Sequence, residues 1–207
     1  PTLENLTRTA LAAQTLLATT AVGMLGKRLG MDGTKNTNRM TQLLGDIGCG
    51  FAGLDFEIEG IENLDRQRPA IFVFNHQSLL DSMVLAHLLR RDVVAFCKKE
   101  MADNPVIGPL LRQVDTIFVD REEKDQAAVL KNALGALAIG RSLVIAPEGT
   151  RITLGDIQPF KHGALFLARN AQVPLVPIVL LIVKDDLPKG ERVIRPATIR
   201  VTVLPPV

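Results

Sequence analysis

The sequence contains neither tryptophan nor tyrosine, and only 4% of its residues are aromatic. Membrane-spanning proteins usually carry belts of these two residues at both interfaces, so the composition argues against a chain built mainly of spanning segments. Cys49 and Cys97 are its only cysteines, and their spacing fits no metal-ligand motif. Because the three histidines stand outside any cysteine cluster, we expect free thiols in a reducing compartment and no structural zinc site.

An excess of charge of either sign is also missing. The 24 Lys and Arg residues nearly balance the 22 Asp and Glu residues, and no long basic block is interleaved with aromatics, so no nucleic-acid partner is expected. The chain also lacks a glycine-rich phosphate loop and a Gly-x-Ser-x-Gly elbow. These absences argue against nucleotide chemistry and against an α/β-hydrolase.

The first helix is predicted over residues 3–26, where apolar residues recur at three-and-four spacing on one face. This stripe consists of Leu3, Leu6, Ala10, Ala13, Leu17, Ala21 and Met24. The segment is too rich in threonine for a clear transmembrane span. Two interpretations remain open: the helix is buried against its own domain or a partner chain, or it lies on a membrane surface.

A second helix is predicted to begin at a cap formed by Asn36 or Thr37, with an apolar stripe from Met40 to Phe51. The short link between the helices predicts an antiparallel hairpin. The chain has 207 residues, of which 47% are hydrophobic, so the part beyond the hairpin is long and apolar enough to form a core. We therefore divide the chain into an N-terminal helical hairpin, residues 1–53, and an α/β domain, residues 54–207.

From residue 54 onward, short strand-like runs alternate with helical patterns. Strands are predicted at 54–59, 70–74, 93–97, 115–119, 142–146, 175–183 and 198–204, and helices at 78–90, 104–112, 122–139 and 161–171. This alternation predicts a layered α/β fold with a mostly parallel central sheet flanked by helices. Pro174 and Pro177 predict that the strand at 175–183 begins irregularly or lies at an edge.

The most informative stretch is Asn75-His76-Gln77-Ser78-Leu79-Leu80-Asp81, directly after the apolar run 70–74. It predicts a strand, a tight turn carrying His76 and a helix with Asp81 in its first turn. There the carboxylate can orient the imidazole and support the charge that the ring gains with a proton. The structural alternative is a capping box with Ser78 at the N-cap. Both roles are compatible if different carboxylate oxygens serve them.

Two other predicted strand ends carry polar clusters, Asp120-Arg121 and Pro147-Glu148-Gly149-Thr150-Arg151. In a parallel sheet the carboxyl ends of the strands share one edge, where ligands bind. Arginine matches phosphate in bidentate fashion, and Lys98 and Lys161 add further cations near this edge. Singly, each cluster is more typical of a surface turn or helix start. Together they predict an anion site beside His76.

In their order and spacing, these motifs resemble the glycerolipid acyltransferase family, the 1-acylglycerol-3-phosphate (lysophosphatidic acid) acyltransferases of phospholipid synthesis. Residues 75–81 match the family's Asn-His-x-x-x-x-Asp block, and residues 147–151 match most of its Phe-Pro-Glu-Gly-Thr-Arg block. Further blocks resemble residues 114–121, 160–163 and 173–177, so the likeness covers roughly residues 37–183. Two departures are Asp115, where the family has glycine, and Ala146, where it has phenylalanine. Because Asp115 is expected near the anion site, the identity of the acceptor stays open.

The resemblance implies transfer of a fatty acyl chain from a thioester, acyl-coenzyme A or an acyl carrier protein, to the free hydroxyl of a lysophospholipid. It implies that His76 is the general base and Asp81 its orienting partner, and it implies no cofactor or metal. It also implies substrate contacts by Asn75, Lys98, Arg121, Glu148, Gly149, Thr150, Arg151 and Lys161.

The implied location is the cytoplasmic face of a membrane, where the protein would be peripheral or monotopic and docked by its hairpin. Three other functions remain as alternatives. They are acyl transfer to another acceptor such as glycerol 3-phosphate or a lyso-glycolipid, thioester hydrolysis by the same His76–Asp81 pair, and non-catalytic lipid binding.

Overall fold

Two antiparallel helices precede a mostly parallel sheet in this protein. The structure, a computed structural model, describes residues 2–78, 80–120, 122, 126–150, 158–182 and 193–207. The helices are α1 (Leu3–Arg28), α2 (Gly33–Ala52), α3 (Asp81–Leu89), α4 (Gly108–Gln113), α5 (Ala127–Ala138) and α6 (Gly163–Ala171). The strands are β1 (Leu54–Glu59), β2 (Ile71–Phe74), β3 (Val93–Lys98), β4 (Ile117–Val119), β5 (Ser142–Ile145), β6 (Leu175–Ile182) and β7 (Ala197–Val203).

The seven described strands form one sheet in the order β1-β7-β6-β2-β5-β3-β4. From β6 to β4 all neighbours are parallel, whereas β7 pairs antiparallel with β6 and parallel with β1. The predicted α/β fold with a mostly parallel sheet and a two-helix start is therefore confirmed. The predicted edge position of residues 175–183 is wrong, because β6 is an interior strand. Pro177 is tolerated there because pairing with β7 begins only at Ile178.

Two apolar clusters cover the two faces of the sheet. On one face, α3 packs with residues of α1 and α2 against the sheet, and α4 contacts α1 on the same side. On the other face, α5 and α6 bury Ala133, Leu137, Ala164 and Leu167 against the sheet. The chain is therefore wound on both faces, which is typical of folds that bind ligands where the winding reverses.

Helix α1 turns its small and hydroxyl-bearing side chains inward. The buried residues are Ala12, Thr15, Thr19, Thr20, Gly23 and Gly26. Every residue of the predicted apolar stripe is exposed, including Leu3 at 81% and Leu17 at 55%, so burial of that stripe against its own domain is wrong. Thr15 and Thr20 each donate a hydroxyl hydrogen bond to a carbonyl of their own helix, which makes their burial inexpensive.

Close packing accounts for the small residues of α1. A Cβ at Gly26 would lie 2.2 Å from Asn36 Oδ1, and the Asn36 amide donates to the Gly23 carbonyl at 2.9 Å. Asn36 is thus a buried contact and not the predicted helix cap. The cap of α2 is Asp32, whose carboxylate accepts from the Lys35 N–H at 3.0 Å. Within the described residues, α1 is the one helix long and apolar enough to cross a membrane, and 33% of that apolar window is buried.

Helices α3 to α6 all begin later than predicted, and the delay is largest for α4 and α5. The Asn104 side chain accepts hydrogen bonds from the Val106 and Ile107 N–H groups, forming a local turn that delays α4 until Gly108. The helix predicted at 122–139 begins at Ala127. The structure therefore places Glu122 ahead of α5 instead of in its first turn, and Glu123 and Asp125 lie outside the described residues.

Candidate active site

The candidate site lies where the chain leaves two neighbouring parallel strands in opposite directions. Val73 of β2 pairs with Ile145 of β5. After β2 the chain enters α3 on one face of the sheet, whereas the helix that follows β5, α6, packs on the other face. Connections that diverge in this way leave a crevice at the carboxyl ends of the strands. The predicted motifs 75–81 and 147–151 begin on the two sides of this crevice.

His76 and Asp81 form a hydrogen-bonded pair in this crevice. The distance between His76 Nδ1 and Asp81 Oδ2 is 2.8 Å. The His76 side chain is 31% exposed and the Asp81 side chain only 6%, and the Phe74 ring meets the imidazole edge-on at a centroid distance of 5.7 Å. Because an ionised carboxylate can only accept, Nδ1 carries the ring proton. Nε2 then carries the free lone pair of the ring and can accept a proton.

One oxygen of Asp81 holds both the histidine and the turn. Asp81 Oδ2 also accepts hydrogen bonds from the backbone N–H groups of Gln77, at 2.7 Å, and Ser78, at 2.9 Å. The expectation that different carboxylate oxygens serve these roles is therefore wrong. Ser78 is not the cap of the helix: α3 begins at Asp81, and the Ser78 hydroxyl accepts from the Leu80 N–H at 3.1 Å. Three donors on one oxygen fix the carboxylate before any substrate binds.

Asn75 anchors the turn to the neighbouring strand. Its side-chain amide donates to the Leu180 carbonyl, and its side-chain oxygen accepts from the Leu180 N–H, both at 2.8 Å. The register of β2 and β6 ends with Phe74 opposite Ile178, so Asn75 continues the pairing with its side chain. This contact positions His76. The substrate contact expected of Asn75 stays a prediction.

Glu148 is a buried carboxyl group next to His76. It is 6% exposed, and among the described residues its Oε2 has no hydrogen-bond partner. Burial raises the pKa of the Glu148 carboxyl, while the nearby His76 acts in the opposite direction. Buried polar atoms are normally paired, so this carboxyl is suited to bind a polar group of a substrate.

Gly149 lets a lysine cross the turn after β5. Its φ is +69°, and its N–H donates to the Ala146 carbonyl at 3.0 Å while the Lys161 N–H donates to the Pro147 carbonyl at 2.8 Å. A Cβ at Gly149 would lie 3.0 Å from Lys161 Cε and Nζ. Glycine is therefore required by both the backbone conformation and the passing side chain, and a cation lies beside the crevice.

The other predicted substrate contacts are less closely placed. Lys98 is the exposed last residue of β3, and Thr150 is exposed after the turn that contains Gly149. Arg121 and Arg151 lie outside the described residues. The described residues thus join His76, Asp81 and Glu148 on one crevice with Gly149 and Lys161 at its rim. The roles of all these side chains in substrate binding stay predictions.

Asp115 lies at the amino ends of the parallel strands, whereas the crevice lies at their carboxyl ends. Its φ is +57°, a conformation that favours glycine, which accounts for glycine in the family motif. Asp115 Oδ2 accepts from the buried Arg141 guanidinium at 2.9 Å, and Arg141 also donates to the carbonyl of Val93, the first residue of β3. The expected position of Asp115 near the anion site is therefore wrong. The backbone conformation also excludes Asp115 from β4, which begins at Ile117.

The sequence patterns missed the part played by Gln77. Its N–H helps to fix Asp81, and its side-chain Oε1 is buried without a hydrogen-bond partner among the described residues. The capping-box spacing signalled that Asp81 reaches back to backbone N–H groups, but nothing in the sequence singled out the Gln77 side chain. Within the described residues, no group of three or more His, Cys, Asp or Glu side chains is placed to hold a metal.

The fold and the crevice define a doubly wound α/β protein with a His–Asp pair at the reversal point of its sheet. A family model described as Acyltransferase matches residues 55–181. This match spans more than half of the sequence, and the chain belongs to the acyltransferase family. The resemblance to glycerolipid acyltransferases is confirmed.

Several curated proteins are similar to this chain. Human 1-acyl-sn-glycerol-3-phosphate acyltransferase beta is 38% identical over 131 residues, which are 62% of this chain and 47% of that protein. The sheep 1-acyl-sn-glycerol-3-phosphate acyltransferase alpha is 33% identical over 157 residues, which are 75% of this chain and 55% of that protein. The 1-acyl-sn-glycerol-3-phosphate acyltransferase of Limnanthes alba is 31% identical over 174 residues, 82% of this chain and 60% of that protein. The chain thus spans about half the length of the curated relatives it matches.

A solved structure shares the fold. The crystal structure of the 1-acyl-sn-glycerophosphate (LPA) acyltransferase PlsC from Thermotoga maritima aligns with a TM-score of 0.74 at 22% identity. The alignment covers 97% of this chain and 86% of that one. It therefore includes the N-terminal hairpin as well as the sheet.

Proposed function

We propose that this protein transfers a fatty acyl chain from an acyl thioester to the free hydroxyl of 1-acylglycerol 3-phosphate, forming phosphatidic acid. The observation that carries the proposal is the His76–Asp81 pair, 2.8 Å apart, in the crevice between β2 and β5. The activity for which the human, sheep and plant relatives are named supports the choice of acceptor. Acyl-coenzyme A and an acyl carrier protein are both chemically suitable donors.

In the proposed step, His76 acts as general base. Nε2 takes the proton of the acceptor hydroxyl while the hydroxyl oxygen attacks the thioester carbonyl. The tetrahedral intermediate then collapses, the carbon–sulfur bond breaks, and the departing thiolate takes the proton from the imidazolium. Asp81 keeps Nδ1 protonated and stabilises the charged ring. Because a thioester is already reactive, the proposal needs neither a metal nor a covalent acyl-enzyme.

The acceptor is proposed to bind on the β5 side of the crevice. Lys161 supplies a cation at the turn that contains Gly149, and Lys98 ends a parallel strand of the same sheet. Arg121 and Arg151, which belong to the matching motifs, would grip the phosphate in bidentate fashion. Glu148, whose Oε2 has no hydrogen-bond partner among the described residues, would contact the polar part of the bound acceptor. Holding the amphiphile beside His76 supplies a large part of the rate through orientation.

The hairpin is proposed to hold the enzyme at the cytoplasmic face of a membrane in a peripheral or monotopic manner. The exposed face of α1 carries Leu3, Leu17 and Met24, and Lys27 and Arg28 lie in its last turn. An apolar helix face with a cationic end is suited to the boundary between head groups and acyl chains. Both lipid substrates of the proposed reaction reside there.

An acceptor panel with one acyl-coenzyme A donor tests this function. We expect thiol release and lipid product in equal amounts with 1-acylglycerol 3-phosphate, and little turnover with glycerol 3-phosphate or a lyso-glycolipid. Thiol release without any acceptor would instead identify a thioester hydrolase. Equal turnover with another acceptor would contradict the proposal. So would no turnover with 1-acylglycerol 3-phosphate, both in this panel and in a repeat with an acyl carrier protein as donor. A His76→Ala sample prepared in parallel controls for contaminating activity.

A further inference from the structure

Helix α6 carries an exposed apolar surface that the fold does not use. The helix buries Ala164 and Leu167 against the sheet but leaves Leu165 58% exposed and Phe166 51% exposed. Phe160, just before the helix, is 59% exposed. Scattered exposed apolar residues are normal, but adjacent large ones mark an interaction surface. We call Phe160, Leu165 and Phe166 the α6 surface.

Lys161 and Arg169 give the segment that carries the α6 surface charges of one sign only. Arg169 lies one helical turn after Leu165, and Lys161 stands next to Phe160 just before the helix, so both cations border the α6 surface. Both are exposed. Between residues 158 and 173 the sequence contains no Asp or Glu. An apolar surface bordered by cations complements an anionic lipid bilayer. It does not complement a second copy of itself, because a two-fold contact would bring like charges together.

The position of the α6 surface connects it with the crevice. The Lys161 N–H donates to the Pro147 carbonyl, so α6 begins at the carboxyl edge of the sheet beside Gly149. The start of α1 reaches the same edge on the opposite face, where the Ile194 N–H donates to the Thr9 hydroxyl at 2.8 Å. Apolar helices therefore approach this edge from both faces of the sheet, with the crevice between them.

We propose that the α6 surface is a second membrane-docking site that binds an anionic lipid bilayer. The bilayer then contacts the protein on both sides of the crevice, through α1 on one face of the sheet and α6 on the other. A lipid acceptor reaches His76 from between these contacts. This role for the acceptor rests on the proposed function, whereas the lipid contact of α6 does not depend on it.

A single tryptophan tests the contact, because the natural chain contains none. In Phe166→Trp, we expect the emission to shift to shorter wavelength with vesicles of phosphatidylglycerol and phosphatidylcholine. We also expect bromine-labelled lipid to quench it. The matched control is Ile61→Trp: Ile61 is 54% exposed and follows the edge strand β1, so its emission should not change. Unchanged emission of Phe166→Trp on vesicle-bound protein would overturn the proposal. A shift that grows with protein concentration without lipid would also overturn it, because it would indicate self-association.

A second set of variants measures the contribution of the α6 surface. Leu165→Ser with Phe166→Ser should weaken vesicle binding about ten-fold or more, and Ile61→Ser should leave it unchanged. Arg169→Gln should weaken binding about five-fold on anionic vesicles and not on pure phosphatidylcholine. Wild-type vesicle affinity of the folded double variant, checked by circular dichroism, would overturn the proposal.

The same double variant separates this proposal from the proposed function. With a short-chain lysophosphatidate that stays monomeric in water, its turnover should equal that of the wild type. If the wild type transferred no acyl group to any acceptor while Phe166→Trp still entered lipid, the docking site would stand and the proposed function would fail. A proportionate loss of turnover on the soluble acceptor would contradict a docking role.

Discussion

The described part of the chain contains two histidine–aspartate pairs with nearly the same geometry. His76 Nδ1 lies 2.8 Å from Asp81 and His87 Nδ1 lies 2.8 Å from Asp46, and the two histidine side chains are 31% and 32% exposed. The carboxylates differ. Asp81 is 6% exposed, whereas Asp46 is 43% exposed and lies where α2 meets α3.

The surroundings of each carboxylate explain why only one pair is a candidate base. Asp46 is shared with Arg90, whose guanidinium donates to both carboxylate oxygens at 2.7 and 3.0 Å. The His87 ring is stacked on Phe56 with centroids 4.8 Å apart. This cluster clamps the hairpin to α3. Asp81 instead accepts from His76 and from the backbone N–H groups of Gln77 and Ser78, and it holds His76 beside a buried acid in the crevice. A His–Asp distance alone therefore identifies no function.

Replacing each histidine by alanine should give the largest difference between the two pairs. We expect His76→Ala to lower kcat about 10²–10⁴-fold, the range for loss of a general base. His87→Ala should keep the wild-type kcat and lower the free energy of unfolding by about 1 kcal/mol, because a stacked ring is lost. Acyl transfer and thermal unfolding of both variants check this. A rate loss in His87→Ala as large as in His76→Ala would remove the distinction.

Replacing each aspartate by asparagine should also lower kcat for the crevice pair only, by a smaller factor than the histidine replacements. Asp81→Asn is expected to lower kcat about 10²-fold or more, because the amide no longer fixes the ring tautomer or stabilises the imidazolium. Asp46→Asn should leave kcat unchanged. Steady-state kinetics with the lysophosphatidate acceptor measures both. A normal kcat for Asp81→Asn would show that His76 needs no orienting carboxylate.

Glu148→Gln should separate activity from stability. We expect kcat/KM to fall about ten-fold, because the substrate loses its contact with the buried carboxyl group. Burial raises the pKa of Glu148, so ionised Glu148 destabilises the folded state at neutral pH. The variant should therefore be at least as stable as the wild type there. That advantage should shrink as pH falls through the raised pKa and vanish below the ordinary glutamate value. Unfolding curves from neutral to acidic pH would contradict this if the advantage grew.

The smallest expected effect concerns the pH dependence of the clamp. The hydrogen bond from Arg90 lowers the pKa of Asp46, with burial acting in the opposite direction. The stabilisation that ionised Asp46 gives to the folded state should be complete above the ordinary aspartate pKa. It should decline as pH falls through the lowered pKa. Because the pair is exposed, we expect Asp46→Asn to cost less than about 1 kcal/mol at neutral pH. A difference from the wild type that stays constant to strongly acidic pH would contradict this.

The sequence was sufficient for those features that depend on neighbouring residues. The alternation of patterns predicted the strands within a few residues, and the spacing of His76 and Asp81 predicted their hydrogen bond. The structure turns the apolar stripe of α1 outward and its threonine and glycine residues inward. Hydrophobicity alone could not predict this orientation. Threonine can satisfy its hydroxyl within its own helix, and glycine allows the close contact at Gly26 that a larger residue would block.

Contacts between distant parts of the chain were beyond the sequence patterns. Asp46 and His87 are 41 positions apart, and Asp115 and Arg141 are 26 apart, so no local periodicity connects them. The anchoring of Asn75 by Leu180 likewise depends on the order of strands in the sheet. These contacts follow from the topology, because the order of the strands decides which distant residues meet and so fixes the side chains of a motif.

The most direct measurement of the central claim is a double-variant cycle on acyl transfer with His76→Ala, Asp81→Asn and the two combined. If Asp81 acts through His76, the combined variant should be as slow as His76→Ala alone, because residues that act as one unit are not additive. If the two rate losses multiplied in the combined variant, Asp81 would act independently of His76, and the account of this site would be contradicted.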